Sequence, residues 1–444
     1  MGAHALSFIP EAYHADILAG TSTVDVATYL NNGLSSQRIL ELPAFGQMSI
    51  GSTLFIPSWG GLIGENFGCT IKALSNFGDN PLVRNATQAP TTDAERDQNV
   101  MIVGVRLDGN KANNATATEF GHGLALKAVN GARLDVEVVN PHGDGVSIQQ
   151  SGPGVSEWYQ HVGCSHITGK VRTSGCRRQG VAIMCAEQVD LDVYDTGTQL
   201  MSVDIEPDHP DNFIRNIFIR LLSLGTGDGS DISGGVCVAG DGLGCIPTGV
   251  TVDFEVYEPG GQGAIWRDCK GLTLRGAIRN PGRNGLVGIG GGTGGSQVSF
   301  QGVRVSSAVH QGMAARETQG SVYDGEIVVE GTGGIGVQIE NARGGVLGLT
   351  LKDAGEEGLY LRNTSNMTFH SAVVERSSGH NVWIVGNSSG NRFPFLRSVN
   401  SRFGYGFIED LGCNDNRASF SRVLGNAAGN VSIKGSISSV AIEA

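Results

Sequence analysis

The chain has 444 residues, of which 68 are glycine, 17% are charged and 6% are aromatic. Glycine at about 15%, roughly twice its usual share, without a G-X-Y period excludes collagen, and 40% hydrophobic content excludes a disordered chain. A net charge of −12 and the absence of any apolar run of ~20 residues leave neither nucleic acid nor membrane as an expected partner.

The opening MGAHALSFIPEAYHADI has no basic stretch followed by an apolar one, so no secretory signal is expected. TSTVDVATYLNNGL (21–34) predicts a helix, with Asp25 near its start and Val26, Tyr29 and Leu30 on one face. Short strands follow in RILELPAF (38–45), GQMSIGSTLFIPSW (46–59) and GGLIGENFGCTIKAL (60–74). Residues 1–75 are therefore read as an N-terminal cap and 76–444 as one long repeat domain. A helix over the first turn would cover strand edges that otherwise invite pairing.

From residue 123 a turn residue followed by alternating apolar positions recurs thirteen times. The frames are GLALK (123), GVSIQ (145), GVAIM (180), SVDIE (202), GVCVA (235), GAIWR (263) and GLVGI (285). They continue with GMAAR (312), GVQIE (336), GLYLR (358), NVWIV (381), GFIED (406) and NVSIK (430), at intervals of 22 to 35 residues. Gly leads ten of them, and Asn381 and Asn430 lead two more. Asn tolerates the left-handed conformation, so the lead position is expected to be left-handed. Ser202 is the exception.

Behind many frames runs a second alternating strand, as in ARLDVEVVN (132–140), QVDLDVYD (188–195) and GVTVDFEVYE (249–258). A repeat of ~20–30 residues made of strands and Gly turns predicts an all-β parallel β-solenoid. About a dozen turns stacked at ~4.8 Å would make a rod of roughly 60 Å. A propeller needs ~40–50 residues per blade and does not fit. In a solenoid, equal places in successive turns form columns, and function is read from columns.

The eight cysteines, Cys69, Cys164, Cys176, Cys185, Cys237, Cys245, Cys269 and Cys413, show no C-x-x-C or finger spacing. Free thiols and a reducing folding compartment are expected, with no structural metal and no cofactor. A DxDxDG calcium loop and the GGxGxD repeat are also missing.

FIPEAYHADILAGTSTVDVATYLNNGL resembles the opening of bacteriophage tailspike catalytic domains: a short entry strand, a helix, and a strand ending in Leu-Pro. STLFIPSWGGLIGEN (52–66) resembles a segment of the pectate-lyase-like superfamily, and CRRQGVAIMCAEQVDLDVYDTG and MSVDIEPD resemble its recurrent turns. The resemblance covers roughly residues 7–260. It implies a right-handed parallel β-helix, a homotrimer, and a depolymerase that binds and cuts a bacterial surface polysaccharide, O-antigen or capsule. It also implies a virion location on the phage tail. The chain would fold in the host cytoplasm and act outside the target cell. The family's virion-binding head, which would meet other phage tail proteins, and its C-terminal trimerisation domain have no visible counterpart in the sequence.

With the frame's first residue as place zero, places one and three should point inward and places two and four outward. Asp204 is the one acid at place two among the thirteen frames, between small Ala182 and Cys237. Glu206 stands at place four between Met184 and Ala239, and Asp208 follows two residues on. Asp204 and Glu206 should lie ~6.7 Å apart at Cα, compatible with the ~6.5–9.5 Å between the carboxyls of an inverting glycosidase. They are the candidate acid and base, with Asp208 in reserve. A DIEP stretch equally suits acids that merely bind turn amides.

The longest turns, 145–180, 202–235 and 235–263, bracket Asp204. Such insertions emerge as side loops. They carry candidate sugar-binding residues: Trp158, Tyr159 and His161, then Asp228 and Asp231 as reserve acids, then Asp241. Arg267, with Arg316 and Arg362, could face an acidic glycan or only solvent. The leading expectation is an endo-acting glycoside hydrolase. A polysaccharide lyase using Arg267 with Tyr159 or His161 is the second expectation. A non-catalytic glycan-binding adhesin is a third. An epimerase, loosely echoed by NPHGDG (140–145), is a fourth.

Overall fold

The fold is an all-β right-handed parallel β-helix with two short α-helices near its N-terminus. The computed structural model describes residues 2–87, 89–114, 118–151, 162–240, 242, 244–290, 295–316, 320–434 and the backbone of 439–442. The chain packs as two compact units, Met1–Leu222 and Ser223–Ala444.

All thirteen frames are strands, and they align place for place. In the first unit Leu124–Lys127 pairs with Val146–Gln149, that strand with Val181–Ile183, and that one with Met201–Ile205. Val146 lies beside Leu124 and Val181 beside Val203. In the second unit the same register runs from Gly234–Ala239 through Gln262–Arg267 to Gly429–Ile433. Leu54–Ile56 and Val83–Asn85 are two further rungs of this kind. The described frame strands thus number fifteen, six in the first unit and nine in the second, rather than about a dozen. The two extra rungs escaped the frame pattern because Thr53 and Leu82, not glycine, precede them.

The lead glycines are not left-handed, contrary to expectation: none of the ten has a positive φ, nor do Asn381 and Asn430. They are needed because the turns approach closely. A Cβ on Gly145 would sit 2.5 Å from the Gly180 carbonyl oxygen and collide with the Thr173 methyl group of the long strand. Where Ser202 replaces glycine, its hydroxyl donates to the buried Asp195 carboxylate at 2.8 Å. At the lead of a later frame, Asn381 donates to the Val399 carbonyl and to Asn426. The left-handed corners lie instead just past the long strands, at Asn140, Gly175 and Gly197 in the first unit and at Glu258, Asn280 and Asn400 in the second.

The long strands alternate as predicted. Inward positions such as Leu134, Val136 and Val138 are buried, and outward neighbours form ion pairs between turns. Arg172 meets Asp135 at 2.9 Å, Arg220 meets Asp190 at 2.6 Å, and Arg275 meets Asp253 at 3.4 Å. Each exposed pair contributes only ~0–1 kcal/mol. Apolar stacking does more: Phe369 and Phe393 are parallel at 4.7 Å, and Phe393, Phe407 and Phe420 follow edge to face.

The predicted N-terminal helix spans Ala27–Gln37, a few residues later than expected. Asp25 accepts the Ala27 amide at 2.9 Å, which fixes the start. Its buried face, Leu30 and Leu34, belongs to the core, and the helix packs against strands Ile39–Glu41 and Leu54–Ile56. All eight cysteines are buried, and burial pushes the thiols of Cys69 and Cys185 up to about 12.

The two glycine environments give opposite expectations. Gly145→Ala should destabilise by about 1–3 kcal/mol through overpacking. Gly197 is left-handed, and a methyl added to it would meet nothing within 4 Å, so Gly197→Asn should be nearly neutral. Thermal unfolding of the two variants checks this; equal melting temperatures would contradict the close-approach account.

Candidate functional site

The carboxylates singled out in the sequence lie at the end of the strand Met201–Ile205 in the first unit. The strand ends two residues before Pro207, which has no N–H to continue the ladder, and Asp208 follows in a bend. Asp204 lies in register with Ala182, which follows Ser147 and Ala125 in the same column. Those three side chains are small and buried, contrary to the expected outward exposure at place two. On the same strand Gln149 reaches back over Ser147, donating to its Oγ at 2.6 Å. Asp204 and Glu206 are half-buried.

A column that the frame pattern does not single out forms the wall. It comprises the residues immediately before each frame: His122, Asp144 and Gln179. His122 Nδ1 accepts the Asp144 amide at 3.0 Å, and Asp144 Oδ1 accepts the Gln179 amide at 3.2 Å. The pattern recurs in the second unit, where Gln262 accepts the Asn284 amide at 3.0 Å, Asn284 that of Gln311 at 2.9 Å, and His380 that of Tyr405 at 2.9 Å. Side chains at this place therefore tie one turn to the next.

In the first unit the tie continues into the candidate site, because Gln179 Nε2 donates to Asp204 Oδ2 at 3.1 Å. Asp144 is wholly buried, with Oδ2 3.2 Å from His122 Nδ1. Arg178 spans two acids, 3.4 Å from Glu119 and 3.9 Å from Asp144. The result is an acidic cluster, Glu119, Asp144, Asp204, Glu206 and Asp208, partly offset by Arg178.

Asp208 titrates unusually. The residue is exposed at the surface, yet enough protein surrounds its carboxyl to weaken its hydration. That partial desolvation, followed by the negative charge of Glu206, pushes Asp208 up to about 6 from an ordinary 3.8; Arg178 opposes the shift, and Asp144 and Glu119 add to it. A carboxyl protonated near pH 6 beside an acidic neighbour can donate a proton to a leaving oxygen.

The other sequence candidates have different surroundings. Trp158, Tyr159, His161 and Asp241 lie outside the described residues. Asp228, Asp231 and Arg267 belong to the second unit. Asp228 caps its own turn, accepting the Ser230 amide at 2.9 Å, and this bond holds its carboxyl below the usual range. Asp231 is ion-paired to Arg283 at 2.5 Å. Arg267 donates Nε and Nη2 to the Gly240 carbonyl at 3.1 and 2.6 Å, which ties its guanidinium to the preceding turn.

The fold is shared with several solved proteins. The tailspike protein of E. coli bacteriophage HK620, in complex with a pentasaccharide, matches with a TM-score of 0.55 at 13% identity, covering 99% of this chain and 80% of that one. A mutant of that tailspike in complex with a hexasaccharide matches with a TM-score of 0.53 at 11% identity over the same shares. Tailspike protein 3 of bacteriophage CBA120 matches with a TM-score of 0.44 at 12% identity, covering all of this chain, which spans 59% of that protein's length. No family model and no curated protein sequence matches.

The folded-state value of Asp208 lies above 3.8, so its contribution to stability is complete below about pH 3.8 and is lost as pH rises through about 6. The parent should therefore lose melting temperature between about pH 4 and 7 relative to Asp208→Asn. Curves that remain parallel across that interval would contradict the partly desolvated setting of Asp208.

Proposed function

We propose that the chain is an endo-acting glycoside hydrolase that cleaves a bacterial surface polysaccharide at the cluster around Asp204, Glu206 and Asp208. The observation that carries this reading is the gathering of Asp204, Glu206 and Asp208 at and just past the end of one strand, with Asp204 held by Gln179 and Asp208 pushed up beside Glu206. Neighbouring carboxyls, one of them with a raised value, match the demand of glycoside hydrolysis, in which one acid protonates the leaving oxygen and a carboxylate acts at the anomeric carbon or on water. Asp208 takes the acid role and Glu206 the carboxylate role. Asp204, held by Gln179, orients the sugar or the water. This revises the roles expected from sequence, where Asp204 and Glu206 shared the chemistry.

The shared fold with a tailspike described in complex with oligosaccharide supports the substrate class. A rigid stack of turns suits a polymer, because several sugars bound at once can position one bond. In the same reading the chain works at a phage tail as a homotrimer docked to other tail proteins, folded in the host cytoplasm and acting outside the target cell.

The test is incubation with polysaccharides from a panel of Gram-negative strains, read by polymer size and reducing ends. Asp208→Asn and Glu206→Gln should each lower turnover by about 10²–10⁴-fold. The alkaline limb of the parent's pH profile should fall near 6 and move lower in residual Glu206→Gln activity, because removing a negative neighbour eases ionisation of Asp208. Ultraviolet-absorbing unsaturated ends would instead identify a lyase, and unchanged polymer size across the panel would identify an adhesin. Full activity in both variants would refute the site.

A further inference from the structure

Within the second unit the outward face of the later turns carries an aromatic patch that the proposed chemistry does not use. Tyr360 and Trp383 lie side by side at place two of adjacent turns, with ring centroids 5.4 Å apart and edge to face. His380 meets Trp383 at 5.4 Å, and Tyr405 stacks on His380 at 5.9 Å with an interplanar angle of 23°. All four rings are half-buried. They pack against one another, edge to face or stacked, and each residue is partly exposed to water. In the equivalent column of the first unit, Ala125, Ser147 and Ala182 are small and buried.

The rings are held in place by polar contacts. The Trp383 indole N–H donates to Asp410 Oδ2 at 3.0 Å, and Lys434 meets Asp410 Oδ1 at 3.4 Å. His380 Nδ1 accepts the Tyr405 amide, which requires an unprotonated Nδ1. Burial lowers the His380 value, in keeping with that role. Two residues before Tyr405, Phe403 is 80% exposed. An aromatic surface kept rigid and half-wet loses little conformational entropy on binding.

We propose that this patch is a second glycan-binding site, separate from the acidic cluster, that holds a pyranose ring against Trp383 and Tyr360. A pyranose has an apolar face of axial C–H groups, which packs on an aromatic ring, and a rim of hydroxyls, which suits Asp410 and Lys434. A cationic ligand fits less well, because Lys434 already meets the Asp410 charge. The substrate class rests on the polysaccharide reading above; the site itself needs no catalysis.

The test uses the full chain carrying Asp208→Asn and affinity gel electrophoresis through the same Gram-negative polysaccharides. Trp383→Ala should weaken retardation by at least about 5-fold, and Tyr360→Ala should weaken it too. Circular dichroism and melting confirm that each variant is folded. Trp383→Phe, which keeps an aromatic face, should restore most of the binding; this separates a sugar contact from a packing role. Unchanged retardation in folded Trp383→Ala and Tyr360→Ala overturns the proposal, and so does the absence of retardation of the starting protein on every polymer. Failure of the hydrolase reading is distinguishable, because it appears as undiminished cleavage by Asp208→Asn or as unsaturated products, not as a change in retardation.

Discussion

The structure depends on the register between successive turns. Within each unit every frame strand meets its neighbour at the same place, from Leu124 beside Val146 to Phe407 beside Val431. A slip by one residue would exchange the inward and outward faces and bury charge. Three features oppose such a slip. The lead glycines let carbonyls approach closely enough to stack. Inward apolar residues fill the same columns turn after turn. Side chains just before the frames accept the amide of the next turn, as Asp144 does for Gln179.

The same register builds the candidate site. A column of small residues, Ala125, Ser147 and Ala182, ends at Asp204. The neighbouring column of His122, Asp144 and Gln179 ends by donating to that carboxylate. A tie that elsewhere only joins turns here orients an acid. Asp208 lies just past the end of that strand, its carboxyl pushed up by partial desolvation and by Glu206, with Arg178 partly compensating. The chemistry draws on features that first serve stacking.

The two units use the outward face differently. In the first, small buried residues lead to carboxylates. In the second, Tyr360 and Trp383 occupy the equivalent column, with His380 and Tyr405 at the place before the frame. Repetition of the backbone leaves these outward places free to vary, since the hydrogen-bonded ladder does not depend on their side chains.

Glycine spacing and period-2 alternation determined the solenoid and all thirteen frame strands, because inward packing recurs at a fixed interval in the chain. They also singled out Asp204 and Glu206, whose neighbours in the column can be read once the period is known. The conformation of the lead glycines was not legible in this way: both a left-handed turn and a close approach select glycine, and only the positions of Thr173 and the Gly180 carbonyl distinguish them. Nor was the role of Asp144 and Arg178, which lie 64 and 30 residues before Asp208 in the chain and act on it only through stacking. The proton affinity of Asp208 was decided by tertiary structure alone, because partial desolvation and the charge of neighbouring turns are properties of the folded surroundings and not of the residue.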